Sequence, residues 1–279
     1  MSRISRYVFR SVSRFLSLLL CLALLLALNA CVISSHRVRP EGARSETESE
    51  TSLPVDAATD DLTPKKRVAI TFDDGPQLHN DLTKKYVDEL NKYGFHATFF
   101  VVGNRVGGDA LSYAVEHGNE IGIHGYTHAT GVYYDTCTDE KYEQEITQTV
   151  QAIQRKVPGY EPTLLRPVGG RISPERANAS PYSIILWSVD SNDWNGEHRY
   201  YKGISDEEAA ACVQRTVDDV MSTVKDGDII LLHDIYESTY DATVIILKQL
   251  YEEGYEVVTV SELLGDSLTP GIIYSSAYD

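Results

Sequence analysis

From Lys65 onward the chain alternates short β-rich runs with amphipathic stretches of helical period, and this alternation restricts it to an α/β fold. Strand-like runs fall at 67–72, 97–102, 120–123, 163–165, 183–189, 228–232 and 256–260. Helical periodicity occupies 81–93, 110–117, 139–156, 205–224 and 239–253. Gly94 and Gly118 stop the first two helices, Thr138 is placed to cap the third, and Ser205 with Glu208 forms a capping-box pair for the fourth. Repeated βα units predict a parallel sheet, closed or nearly closed into a barrel. In such folds the carboxyl ends of the strands build the active site.

Five polar segments fall at or just after those strand ends. They are Thr71-Phe-Asp-Asp-Gly-Pro, His124-Gly-Tyr-Thr-His128, Arg166-Pro-Val-Gly-Gly170, Asp190-Ser-Asn-Asp-Trp194 and Leu231-Leu-His-Asp234. The topology gives them a reason to converge on one pocket. Their inventory suits a metal-assisted hydrolase with its own general base and acid.

Each segment has a bland reading and a chemical one. Asp73 and Asp74 sit in good turn chemistry, yet neighbours at a strand end point in different directions, so one can bind a metal while the other faces substrate. The four-residue spacing of His124 and His128 lets both imidazoles face one ion, and two His with one Asp leave room for water and substrate. A lone histidine such as His233 is often a satisfied core group; here its separation from the pair fits proton donation to a leaving group, with Asp190 or Asp193 orienting it. Arg166 can pair with Asp73. Trp194 suits a sugar-binding groove, whereas Trp187 reads as core. The stretch 195–203, with Tyr200 and Tyr201, is longer than a simple turn needs and reads equally as a substrate-facing loop or a surface insertion.

The chain has 279 residues and a formal net charge of −16. Arg3, Arg6, Arg10 and Arg14 are the only charges in the first thirty residues, so the remainder is more acidic still. Such a charge repels polyanions, which excludes nucleic acid as a partner. Residues 1–30 read as an export signal: a basic stretch, then a Leu- and Ala-rich run from Phe15 to Leu28. The sequence Leu28-Asn-Ala-Cys31 resembles the lipobox of bacterial lipoproteins, which implies a lipid on Cys31; cleaved secretion and an uncleaved anchor are the alternatives. All three place the protein outside the cytoplasm, the first on the extracellular face of the bacterial cell membrane. Residues 31–64 are rich in Ser, Thr, Glu and Asp and poor in large apolar groups, so they read as a disordered tether. Residues 65–279 remain as the catalytic domain. Cys137 and Cys212 lie on separate elements and are expected as free thiols, and a monomer is expected.

Taken together, the segments resemble the motifs of the polysaccharide deacetylases of carbohydrate esterase family 4, over about 67–264. The resemblance implies a distorted (β/α) barrel of the polysaccharide deacetylase type. It implies Asp73 as base, and Asp74, His124 and His128 as ligands of zinc, in some members cobalt. It further implies Arg166 orienting the base, Asp193 tuning the acid His233, and Trp194 and Leu231 on the groove wall. The family usually carries a Tyr where Gly169 stands; Gly169 can still offer its N–H to the oxyanion, but the ring wall is missing from this segment. The implied substrate is an acetylated polysaccharide, with N-acetylglucosamine of peptidoglycan the first choice given the exported, tethered address. An O-acetyl esterase acting on xylan or another glycan, an inactive carbohydrate-binding lipoprotein, and a hydrolase of small cyclic amides are the rivals.

Overall fold

The computed structural model describes residues 65–77 and 81–278. The expected signal, the lipid-bearing Cys31 and the tether all lie outside the described residues. Nine strands form one sheet, every ladder of it parallel: β1 (Lys66–Asp73), β2 (Thr98–Val101), β3 (Glu120–Ile123), β4 (Leu164–Leu165), β5 (Ser183–Ile185), β6 (Val189–Asp190), β7 (Ile229–His233), β8 (Tyr255–Val258) and β9 (Ile273–Tyr274). The order is β6-β7-β1-β2-β3-β4-β5-β9, with β8 paired to the first half of β1. The helices are α1 (Leu82–Asn91), α2 (Ala110–Glu116), α3 (Asp139–Lys156), α4 (Pro174–Asn178), α5 (Asp206–Met221), α6 (Glu237–Glu252) and α7 (Val260–Leu264). The caps act as expected: Thr138 accepts the Lys141 N–H, and Ser205 with Glu208 forms a capping box.

The period-2 geometry of the strands divides the core into two layers. Val68, Ile70, Phe72, Phe99, Ile230 and Leu232 face outward into the layer beneath the helices. Ala69, Phe100, Leu164, Ile185 and Ile229 face the barrel interior, whose floor is filled by Val260, Leu264 and Tyr274. The interior parity continues upward through Thr71 and Asp73 on β1, His124 after β3, Arg166 after β4, and Leu231 and His233 on β7. The functional segments are therefore the top layer of the barrel's own interior stack. Gly122 belongs to the same face and has no room for a side chain, because a Cβ there would lie 2.5 Å from the Phe100 ring.

Two expectations about elements are corrected. The run 183–189 is not one strand. It breaks at Leu186, and three residues carry the chain from β5, which pairs with β4 and β9, to β6, which pairs with β7. The break has a nonlocal cause: the buried Arg166 guanidinium takes the Ile185 and Leu186 carbonyls that a continuing ladder would use. The edge strand β6 is thus joined by a short covalent span to β5, next to the opposite edge, with Arg166 in the gap, and the barrel is distorted there. The run 256–260 is also cut short. Thr259 and Glu262 form a capping box that ends β8 at Val258 and starts α7. Cys137 and Cys212 are free.

Candidate active site

Asp73 ends β1 and is buried. Arg166, fully buried, donates from Nη1 to Asp73 Oδ1 (2.9 Å) and to Thr71 Oγ1 (2.7 Å). That guanidinium also lies 4.3 Å from the centre of the Phe100 ring, so it is fixed by contacts on every side. Its desolvated charge is matched to one carboxylate, and Asp73 Oδ2 is left facing His124 Nε2 at 3.5 Å.

Asp74 has φ 76°, a left-handed conformation that turns its carboxylate away from that of Asp73. The turn is clamped by groups that motif reading did not single out. Arg105 Nη1 donates to the Asp74 carbonyl (2.7 Å), the Val102 N–H to the Gly75 carbonyl (2.9 Å), and the Asp234 N–H to the Asp73 carbonyl (3.3 Å). The Asp234 side chain packs so tightly over Gly75 that a Cβ there would lie 2.1 Å from its Oδ1. Thr83 of α1 donates to the other Asp234 oxygen. Burial pushes the Asp234 carboxyl up to about 7, the Thr83 bond opposing it.

His124 and His128 come from the loop after β3. His124 Nδ1 is 2.9 Å from the Arg166 carbonyl, which can only accept, so that nitrogen carries the proton and Nε2 presents a lone pair. Burial lowers the His124 pKa and favours this neutral form. Glu145 of α3 braces the loop: its Oε2 accepts the Tyr126 and Thr127 N–H groups at 2.6 and 2.7 Å, and its Oε1 accepts Thr127 Oγ1 at 2.7 Å.

Donor atoms of Asp74, His124 and His128 lie within 4.8 Å of one another, the one such cluster among the described residues. Asp74 Oδ1 is buried and lacks a hydrogen bond of acceptable geometry. Its neighbours are His128 Nε2 at 3.1 Å and His124 Nε2 at 3.6 Å. An orphaned buried carboxylate oxygen beside two imidazole nitrogens is the donor set a divalent ion requires, so the residues fit a metal. Burial alone would raise the Asp74 pKa; His124, His128, His233 and Arg105 outweigh it and hold it below the usual carboxylate range.

Across the cavity, His233 ends β7. Asp193 holds it at two points, accepting from Nδ1 (2.7 Å) and from the backbone N–H (2.7 Å), while Thr239 Oγ1 donates to the same carboxylate (2.9 Å). Burial works against the imidazolium, but the charge and hydrogen bond of Asp193, with Asp73 and Asp74 behind, push the His233 pKa up to about 9. Asp190, the alternative orienter, is engaged elsewhere: its Oδ1 accepts from the Asn192 N–H and Trp194 Nε1.

Asp73, Asp74, His124, His128 and His233 line a cavity of about 430 Å³, whose wall includes Gly169, Trp194, Leu231 and Trp187, the last also packing against the interior core as its reading expects. Two wall residues have no motif to announce them, Tyr133 and Tyr236. Tyr133 fills the place of the missing ring. A Cβ built on Gly169 would meet it at 3.5 Å, and Gly169 itself is at φ 61°, where glycine is at ease. Asp73, Asp74, His124, His128, Gly169, Trp194, Leu231 and His233 thus line one cavity, with Arg166 and Asp193 fully buried behind it against Asp73 and His233.

The profile of the polysaccharide deacetylase family matches residues 60–181. The peptidoglycan-N-acetylmuramic acid deacetylase PdaC of Bacillus subtilis is 36% identical over 214 residues, covering 76% of this chain and 41% of that protein. The peptidoglycan-N-acetylglucosamine deacetylase PgdA of Listeria monocytogenes is 33% identical over 216 residues, 77% of this chain and 42% of that protein. The chain therefore spans about two fifths of the length of these curated relatives. A family 4 acetyl xylan esterase from Clostridium thermocellum, solved with a cobalt ion, aligns with TM-score 0.62 and 31% identity over 76% of this chain and 98% of that one. The chain belongs to the polysaccharide deacetylase family. Its curled parallel barrel is that of the family, and the esterase's cobalt ion agrees with a divalent metal site of Asp and His donors in this family member.

Proposed function

We propose that this deacetylase removes the N-acetyl group from N-acetylglucosamine in peptidoglycan, with Asp74, His124 and His128 holding zinc. The observation that carries the reading is the placement of two charge-paired couples, Asp73–Arg166 and His233–Asp193, on either side of one His/Asp donor cluster. A divalent ion held there would supply Lewis acidity toward the acetyl carbonyl and toward water. Asp73, with one oxygen fixed by Arg166, takes the proton from the attacking water through its free Oδ2. The Gly169 N–H faces the developing oxyanion. His233 is kept protonated by Asp193 and, with Nδ1 engaged, donates from Nε2 to the departing amine. Trp194, Leu231, Trp187 and the two tyrosines hold the sugar.

Peptidoglycan is favoured by the two cell-wall relatives and by the exported, lipid-bearing N-terminus inferred from the sequence. That address would set the enzyme on the extracellular face of the membrane, and a fatty-acid label that persists in Cys31→Ser would sink it. Among the described residues no helix is long and apolar enough to cross a membrane. Muramic acid is the second reading, motivated by the Bacillus relative. The test is acetate release by the purified full chain from peptidoglycan, N-acetylglucosamine oligomers and acetylated xylan, each with zinc and with chelator. Zinc-dependent acetate from peptidoglycan is expected, with Asp73→Asn inactive. Acetate from xylan alone would replace the amide reading with an esterase.

A further inference from the structure

The stretch 195–204 is neither a simple turn nor a loose insertion. It is pinned to the two helices beneath it. His198 is buried against Thr216 (Nδ1 to Oγ1, 3.2 Å), the Glu197 carbonyl accepts Arg215 Nη1 at 2.7 Å, and the Tyr200 hydroxyl donates to Asp241 at 2.8 Å. A loop held this firmly is pre-organised for binding. With the start of α6 it encloses a second cavity of about 560 Å³. Tyr236 lines both this cavity and the active site, so the two are neighbours with this residue between them.

The chemistry of the second cavity differs from the first. The Arg199 guanidinium lies 4.7 Å from the centre of the Tyr236 ring and hydrogen-bonds that side chain, and its Nε is buried with no acceptor. No described carboxylate pairs with Arg199 or with Lys202. In a chain with 41 acidic and 25 basic residues, an arginine without a carboxylate is an unmet demand. The acidic residues on the same wall do not meet it: Glu237 lies 4.0 Å from Lys85, and Asp206 sits in the first turn of α5. Tyr201, 60% exposed, adds an aromatic face on the outer rim.

We propose that this second cavity is a binding subsite for a carboxylate carried by the sugar next to the one being deacetylated, with Arg199 pairing with it and Tyr236 separating the two subsites. This rests on the deacetylase reading of the neighbouring site. Glucosamine oligomers carry no such group. A muramoyl neighbour carries one, either as its free lactyl carboxylate or through the carboxylates of a peptide attached there.

The experiment compares four tetrasaccharides on the full chain. Three alternate N-acetylglucosamine with muramic acid: one with free lactyl groups, one with lactyl methyl esters, and one with lactyl-linked peptide. The fourth contains N-acetylglucosamine alone. Affinity is measured by calorimetry on metal-free protein, and kcat/KM on zinc-loaded protein. A charged form should bind about tenfold tighter than the methyl ester, the advantage shrinking with salt. Preference for the free lactyl form names the lactyl group as the source; preference for the peptide form names the peptide. In Arg199→Gln the ratio of charged to esterified kcat/KM should fall about tenfold, with partial recovery in Arg199→Lys. Equal binding of all three muramoyl forms to the wild-type protein would overturn the subsite, and that comparison needs no variant. Tighter binding of a charged form with no acetate from any substrate would sink the deacetylase reading and leave the subsite standing.

Discussion

At the scale of single residues, the His233–Asp193 pair fixes the alkaline side of the pH profile. An imidazolium whose folded pKa is raised to about 9 stays protonated as pH rises and loses its proton only through that value. The stability it contributes has the same sign: full below the ordinary histidine pKa, and lost on passing about 9. A cation bound at Asp74 cancels part of the carboxylate contribution, so the loaded enzyme should turn over somewhat below 9. Replacing Asp193 with Asn removes the raising charge but keeps the burial, which lowers the pKa. The alkaline limb of kcat/KM should move down by about two pH units. His233→Ala should cost about 10²–10⁴ in kcat at every pH. A pH–rate profile of the three proteins checks both; an unmoved limb in Asp193→Asn would remove His233 as the acid. A second residue-scale prediction concerns Gly75. Ala there would drive a methyl into the Asp234 carboxyl, so Gly75→Ala should cost more than about 3 kcal/mol of stability. Pairing it with Asp234→Ala relieves the clash, and a double-mutant cycle by denaturant unfolding should return a coupling of about 1–3 kcal/mol. These residues were unevenly legible. Asp73, Asp74, His124, His128, Arg166 and His233 were legible together, because each segment alone has a bland reading but five polar segments at successive strand ends share a chemical one; Asp193 stood open against Asp190 until its bonds to His233 were seen. Asp234 stands beside His233 in sequence, but its work is done against Gly75, a contact that no local pattern encodes.

At the scale of elements, the strand–helix alternation was legible because burial on one face imposes its period directly on the sequence. What failed was where a distant side chain decides a boundary. The stretch 183–189 has the composition of one strand, and only Arg166, arriving from β4, takes the carbonyls that end it. Tyr133 and Tyr236 reach the cavity from loops whose paths depend on the whole fold. The Thr259–Glu262 box, by contrast, is a local signal that was there to be read. The bracing of the histidine loop by α3 belongs to this scale as well. Burial would raise the Glu145 pKa, but Lys141 and the Tyr126 and Thr127 donors outweigh it and hold the carboxylate below its usual range. Its contribution is therefore present above the ordinary glutamate pKa and lost as pH falls below it. Glu145→Ala leaves two backbone N–H groups unpaired, each costing about 1–3 kcal/mol where it stays dry. The loop that carries His124 and His128 then loosens, and zinc affinity should fall about 10–100-fold by calorimetry. Unchanged affinity would make Glu145 a brace for α3 alone.

At the scale of the whole molecule, the metal site joins the segment after β1 to the loop after β3, two parts of the barrel rim whose backbones meet only through the end of β2. Asp74 follows β1, His124 follows β3, and His128 stands beyond it on a residue with φ 48°. Without a cation Asp74 Oδ1 is a buried carboxylate oxygen with no hydrogen bond, beside the Nε2 atoms of His124 and His128. An ion bound only by the folded state stabilises it by mass action, about 4 kcal/mol at a thousandfold excess over Kd. For a domain of this size that corresponds to about 8–16 °C in Tm. Zinc added to chelator-treated protein should raise Tm by that order. Because the ligands bind as Asp carboxylate and neutral imidazole, the increment should shrink as pH falls and protons compete with the ion. Asp74→Asn should abolish most of the increment and also lower the apo Tm slightly, because, despite burial, His124, His128, His233 and Arg105 already favour the carboxylate without the ion. A zinc increment that survives Asp74→Asn would place the ion elsewhere and detach the two flanking acid–base pairs from any common centre.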